Sequence, residues 1–167
     1  MISIRRIWHG EAERFRQIRL AALKDSPAAF GSTYESALRR RPESWVEQAD
    51  STAQGSDRAT FLALDDDSPV GIMALYRNED GGSAGELLQV WVEPRYRGHG
   101  VATALLDAVF AWAVQSDFRT VTATVARDNH RALSFYQKSS FVPTDGAAPE
   151  TPHGLVLTRE VKAPAAT

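Results

Sequence analysis

Apolar residues along this chain recur in two rhythms, and the changes from one to the other mark out the elements. Ile2, Ile4 and Ile7, with Ser3 and Arg5 on the opposite face, predict a short first strand. Over 11–24, Phe15, Ile18, Ala22 and Leu23 fall at helical spacing, and Ser26-Pro27 ends that helix. A loop of small residues follows over 28–35. The next helix starts near Glu35, breaks near Pro42 and resumes over 43–49. After a polar, turn-rich stretch at 51–58, two apolar runs at 60–64 and 70–76 predict a hairpin closed by Asp65-Asp66-Asp67-Ser68-Pro69.

The middle of the chain reads as strand, turn, helix. Residues 87–92 are apolar and β-branched, and Pro94 stops them. The turn at 95–100 holds Gly98 and Gly100. The helix at 101–114 carries apolar residues at 101, 105, 109 and 112. The first N–H groups of a helix lack partners within it, and the helix dipole adds positive charge there. A glycine turn at such an end suits a phosphate or carboxylate, with Arg97 and His99 as side-chain donors. The other reading is a strand-to-helix turn with no ligand. The usual nucleotide loops are not matched: no G-x-x-x-x-G-K-[ST] occurs, and Thr103 stands where G-x-G-x-x-G needs glycine. Residues 120–125 then alternate Val121, Ala123 and Val125 with three threonines. This strand follows a crossover helix, so it runs parallel to 87–92. A short helix at 129–138 and closing strands at 141–142 and 155–161 complete an α/β pattern with a mixed sheet.

With 167 residues, 43% of them hydrophobic and 24% charged, the chain suits one domain over 1–162 and a tail at 163–167. The net charge of −2 gives no overall field for nucleic acid or anionic membrane. There are no cysteines, so thiolate catalysis, disulfides and Cys–zinc sites are excluded. His9, His99, His130 and His153 lack ligand spacing, and the aspartate run reads as a solvated turn, so no metal is expected. No signal-peptide run or membrane-length apolar stretch occurs; the expected place is the cytoplasm.

Arg97-Gly98-His99-Gly100-Val101-Ala102 resembles the acyl-CoA signature of the GNAT superfamily of N-acetyltransferases, [RQ]-x-x-G-x-[GA], between a strand and a helix. Residues 125–141 resemble a second landmark, N-x-x-A-x-x-F-Y-x-x-x-G-F, through Asn129, Ala132, Phe135, Tyr136 and Phe141; Ser140 replaces the glycine, where a positive φ is less well tolerated. Asn129 and Tyr136, about two helical turns apart, share a face.

The resemblance implies a mostly antiparallel sheet with a central, splayed parallel strand pair that admits acetyl-CoA as co-substrate. It implies acetyl-CoA contacts at Val90, Val92, Arg97, Gly98, His99, Gly100, Val101, Ala102, Thr103, Asn129 and Tyr136. Tyr136 would protonate the departing thiolate. Glu86 is the candidate base, on the face of Leu88, Val90 and Val92 unless a bulge intervenes. Phe30, Tyr34 and Glu35 would meet the acceptor, a small-molecule or peptide amine, in a monomer or homodimer. Local sequence alone equally allows Asn129 as a helix cap, Tyr136 as a core tyrosine and Glu86 as a polar strand start. The leading function is N-acetyl transfer from acetyl-CoA to a primary amine. The rivals are a non-catalytic acyl-CoA sensor and an unrelated nucleotide-binding α/β protein.

Overall fold

A computed structural model describes residues 1–26, 33–144, 150–151 and 154–162. Among these, eight strands form one mixed sheet: β1 (Ile2–Arg6), β2 (Arg58–Asp65), β3 (Ser68–Arg77), β4 (Ala84–Val92), β5 (Thr120–Val125), β6 (Val142–Pro143), β7 (Glu150–Thr151) and β8 (Gly154–Glu160). The order is β1-β2-β3-β4-β5-β8-β6, with β7 paired to β8 off this path. Among the described residues, only the β4–β5 pairing is parallel. The predicted hairpin and the predicted parallel pair are both present. Five helices accompany the sheet: α1 (Ala12–Asp25), α2 (Tyr34–Leu38), α3 (Pro42–Ser51), α4 (Val101–Gln115) and α5 (His130–Lys138).

Two apolar cores lie on the two faces of the sheet. One joins Ile7, Phe15, Ile18, Leu23 and Trp45 to Leu62, Leu64, Ile72 and Trp91, under α1–α3. The other joins Leu105, Val109 and Phe110 of α4 to Met73, Leu75, Leu87 and Val92, and reaches Tyr136 and Phe141. Ile4 packs against this second core while Ile7, three positions on and just past β1, belongs to the first, the opposite face that an odd spacing along an extended chain gives. Pro42 begins α3 instead of merely breaking a helix. It occupies the first turn, where a missing N–H is harmless.

The β4–β5 pairing is short. It runs only through Ala84↔Thr120, Gly85↔Val121 and Glu86↔Thr122. Beyond Glu86 the two strands part, and the β5-facing edge of β4 has no strand partner among the described residues. On the other edge, Ile72 opposes Trp91 and Ala74 opposes Leu88, so Met73 faces both Gln89 and Val90. This is a β-bulge, and Gln89 sits in it at φ +59°. A side chain in this left-handed region costs about 1–2 kcal/mol, which the surrounding sheet sustains.

The bulge corrects the predicted face of Glu86. Leu87 and Val92 lie in the α4-side core and Val90 packs on it, whereas Trp91 lies in the α1-side core. By alternation Glu86 and Leu88 therefore lie with Trp91, opposite Val90 and Val92. The cross-strand neighbour of Glu86 agrees: Tyr76 accepts a hydrogen bond from Gln48 of α3 at 3.3 Å.

Candidate active site

A cleft of about 1240 Å³ opens where β4 and β5 separate. Residues 86–92 of β4 form one wall and Thr124 to Ala126 the other. The turn before α4 and the start of α5 close its ends.

The turn before α4 is built from Pro94–Tyr96, a short 3-10 turn, and then two glycines with φ of +83° and +82° at positions 98 and 100. A Cβ on either glycine would meet no protein atom within 4 Å, so the backbone faces open space there. Gly100 caps α4. No side chain caps the helix, and its first turn holds no acidic residue. The N–H groups of Val101, Ala102 and Thr103 therefore lack the capping partner that a helix usually recruits, and all three residues line the cleft. Uncapped N–H groups at the positive end of a 15-residue helix are of the kind that suits an anion.

Arg97 is held from two directions. Its Nε donates to the Val92 carbonyl at 2.9 Å, and one Nη donates to Asp25 Oδ2 at 3.0 Å. Trp91 Nε1 donates to the same Asp25 oxygen at 3.0 Å, and Ser26 Oγ donates to it at 2.7 Å. These donors, Trp91 first, hold the Asp25 carboxyl below its ordinary range. Asp25 ends α1, so one carboxylate ties α1, the end of β4 and the glycine turn together. The guanidinium predicted for phosphate is thus partly committed to the protein. His99 is exposed and does not line the cleft.

On the far wall, Asn129 caps α5: its side-chain oxygen accepts from Ala132 N–H at 3.2 Å. Its residue also lines the cleft, so the cap and cleft readings coexist at one position. Tyr136 lies one helix face along. It is only 5% exposed and stacks edge-on with Phe135 and Phe141 at 5.3 and 5.1 Å. Among the described residues, no hydrogen bond holds its hydroxyl. Burial pushes the phenol well above its usual range, so it stays protonated throughout the physiological interval. After α5, Phe141 N–H bonds the Tyr136 carbonyl at 2.9 Å and Ser140 N–H bonds the Gln137 carbonyl at 3.3 Å. This pair of bonds is a Schellman ending, with Ser140 at φ +70° in the place that favours glycine.

The acceptor side is partly described. Phe30 lies outside the described residues. Tyr34 opens α2 and packs on the α1-side core, and Glu35 is exposed; neither lines the cleft. Glu86 does line it, half-buried at the point where β4 and β5 part. Sequence reasoning missed Arg19, which also lines the cleft. The signal was present: Arg19 sits within the stripe Phe15, Ile18, Ala22 and Leu23, where a cation interrupts an apolar helix face.

The Acetyltransferase (GNAT) family model matches residues 19–141, from the middle of α1 past the Schellman ending. The chain belongs to the GNAT acetyltransferase family. A mycothiol acetyltransferase from Propionibacterium freudenreichii is 27% identical over 135 residues, covering 79% of this chain and 41% of that protein. An uncharacterized N-acetyltransferase from Mycobacterium bovis is 36% identical over 84 residues, covering 50% of this chain and 53% of that protein. The GNAT chain therefore spans about half or less of the length of these relatives.

Solved structures share its fold. A GNAT acetyltransferase from Streptococcus pneumoniae superposes with a TM-score of 0.78 at 20% identity, covering 97% of this chain and 100% of that one. The PaiA N-acetyltransferase of Thermoplasma acidophilum, solved in complex with coenzyme A, gives 0.72 at 17% identity, covering 96% and 99%. Among the described residues, no helix of this GNAT chain is long and apolar enough to cross a membrane, and no three His, Cys, Asp or Glu side chains gather as a metal site.

Proposed function

We propose that the protein transfers the acetyl group of acetyl-CoA to a primary amine by direct attack. The observation that carries this reading is the coincidence of two features in one cleft. The β4–β5 pairing ends at Glu86↔Thr122, and the uncapped start of α4 faces the opening. A pantetheine arm suits the gap between parting strands, and a pyrophosphate suits the N–H groups of Val101, Ala102 and Thr103. Gly98 and Gly100 let that backbone come close, and Val90, Val92 and Asn129 line the path of the arm.

The chemistry follows from what the residues can do. Glu86 takes the proton that the amine must lose, directly or through water. The amine nitrogen then bonds to the thioester carbon. A backbone N–H near Val90, on the edge of β4 that has no β5 partner, stabilises the resulting oxyanion. The C–S bond breaks, and Tyr136 gives its proton to the leaving sulfur, to be reprotonated from solvent. A neutral, buried phenol matches a thiolate that forms in the same low-dielectric place, where its own proton affinity is raised. The products are an N-acetyl amine and free coenzyme A.

The test is thiol release from acetyl-CoA in the presence of an amine panel, which this cysteine-free chain allows without background. Tyr136→Phe is expected to lower kcat about 10²-fold or more while acetyl-CoA still binds. Full turnover in that variant removes the acid role. Glu86→Gln is expected to lose the acidic limb of the pH–rate profile; an unchanged profile removes the base role. Tight acetyl-CoA binding without turnover on any amine would instead favour a sensor.

A further inference from the structure

The cleft has a polar wall group that the mechanism does not use. Val121, Ala123 and Val125 of β5 lie in the α4-side core, so Thr120, Thr122 and Thr124 alternate onto the other face of the sheet. Glu86 is the register partner of Thr122 and shares that face. Thr122 Oγ1 donates to the Gly85 carbonyl at 3.4 Å, and its neighbour in β8, Thr158, is hydrogen-bonded to Thr144 at 2.6 Å. Thr124 differs. It is exposed, it lines the cleft, and among the described residues its hydroxyl makes no hydrogen bond.

Thr124 stands two residues past Thr122, where β4 and β5 have already parted. With about 4.8 Å between strands and about 3.3 Å per residue along them, its Cα lies about 8 Å from that of Glu86. The two residues thus flank the opening on one face of the sheet, Glu86 from β4 and Thr124 from β5. One nitrogen atom fits between such side chains, about 3 Å from an oxygen of each.

The reaction gives that arrangement a use. A neutral primary amine has two N–H groups and one lone pair. With one N–H on Glu86 and the other on a second acceptor, the lone pair is fixed in direction, and fixed orientation of a nucleophile lowers the barrier to attack. A hydroxyl accepts and donates at once, so Thr124 can take an N–H while its own proton points to water.

Resting on the acetyltransferase reading above, we propose that Thr124 Oγ1 accepts the second N–H of the attacking amine and, with Glu86, aims its lone pair at the thioester carbon. The protein is then selective for primary amines, because a neutral secondary amine has one N–H and leaves one of the two oxygens unmet.

The experiment uses the full chain with saturating acetyl-CoA, read as thiol release. The acceptors are ethanolamine, benzylamine and glycinamide, each beside its N-methyl counterpart. Thr124→Val keeps a β-branched side chain suited to a strand and removes the hydroxyl. It is expected to lower kcat/KM for the primary amines by about 3- to 10-fold, the range of one neutral hydrogen bond, and to narrow the ratio of primary to secondary amines. KM for acetyl-CoA, the acidic limb of the pH–rate profile assigned to Glu86 and the melting temperature are expected to stay as they are. Thr124→Ser is expected to restore most of the rate. An unchanged kcat/KM or an unchanged ratio in Thr124→Val, or a loss that serine does not restore, overturns the inference and leaves the acetyltransferase reading standing. So does a rise in KM for acetyl-CoA in place of the loss on the amines. Failure of every amine with the unaltered protein overturns both.

Discussion

Glu11→Gln tests how the corner before α1 is held. Glu11 accepts from both Nη atoms of Arg5 at 2.7 and 2.8 Å, from Arg14 at 2.7 Å and from the Trp8 N–H at 2.7 Å. These donors, the Arg5 pair first, lower its pKa from 4.5 to about 2. A shift of that size corresponds to roughly 3.4 kcal/mol at most, at about 1.36 kcal/mol per unit. The cluster sits at the surface, and screening reduces the figure to about 2 kcal/mol. The sign follows from the protons bound. The unfolded carboxylate takes a proton near pH 4.5 and the folded one only near pH 2. The stabilisation is complete above pH 4.5 and is lost as pH falls toward 2; by pH 3 about three fifths of it is gone. Thermal melts of the unaltered protein and of Glu11→Gln are expected to differ by about 4–8 °C at pH 7, and by less than half of that at pH 3. An equal difference at both values, or none at pH 7, would refute the assignment.

Two further perturbations act on the turn after α5 and on the end of α1. Ser140→Gly relieves a left-handed residue at φ +70°; about 1–2 kcal/mol of relief against 0.5–1 kcal/mol of added unfolded-state freedom leaves a gain of about 0.5–1 kcal/mol, seen as a higher melting temperature. Asp25→Asn keeps an acceptor for Trp91 but removes the charge opposite Arg97, so KM for acetyl-CoA is expected to rise several-fold while the melting temperature falls by only a few degrees; an unchanged KM would show that Asp25 does not position the turn.

Much of this was legible in the sequence because the informative residues obey local rules. The β4–turn–α4 unit announces itself through a proline stop, two glycines and a helical apolar period, all fixed within 20 residues. Ser140 stands where the resembling motif has glycine, which put the turn in doubt, yet the structure keeps the positive φ there. The bulge at Gln89 was not readable. Residues 87–92 form a nearly continuous apolar run in which alternation gives no phase, and an extra residue there shifts the faces without leaving a compositional mark. That slip moved Glu86 to the α1 side. Arg19 was overlooked for a different reason: one cation in a helical stripe reads as surface until packing shows it buried. The tie between Asp25 and Arg97 joins residues 72 positions apart, a distance over which sequence patterns carry no signal.

The central claim is that the uncapped start of α4 and the gap between β4 and β5 bind acetyl-CoA. The most direct measurement is the thermal midpoint with acetyl-CoA, with ATP and NAD as controls. At a hundredfold excess over the dissociation constant, bound ligand adds about 2.7 kcal/mol, which for a chain of this size moves the midpoint by about 5–10 °C. The account predicts that shift with acetyl-CoA and not with ATP or NAD. No shift at millimolar acetyl-CoA, or an equal shift with all three, would contradict it.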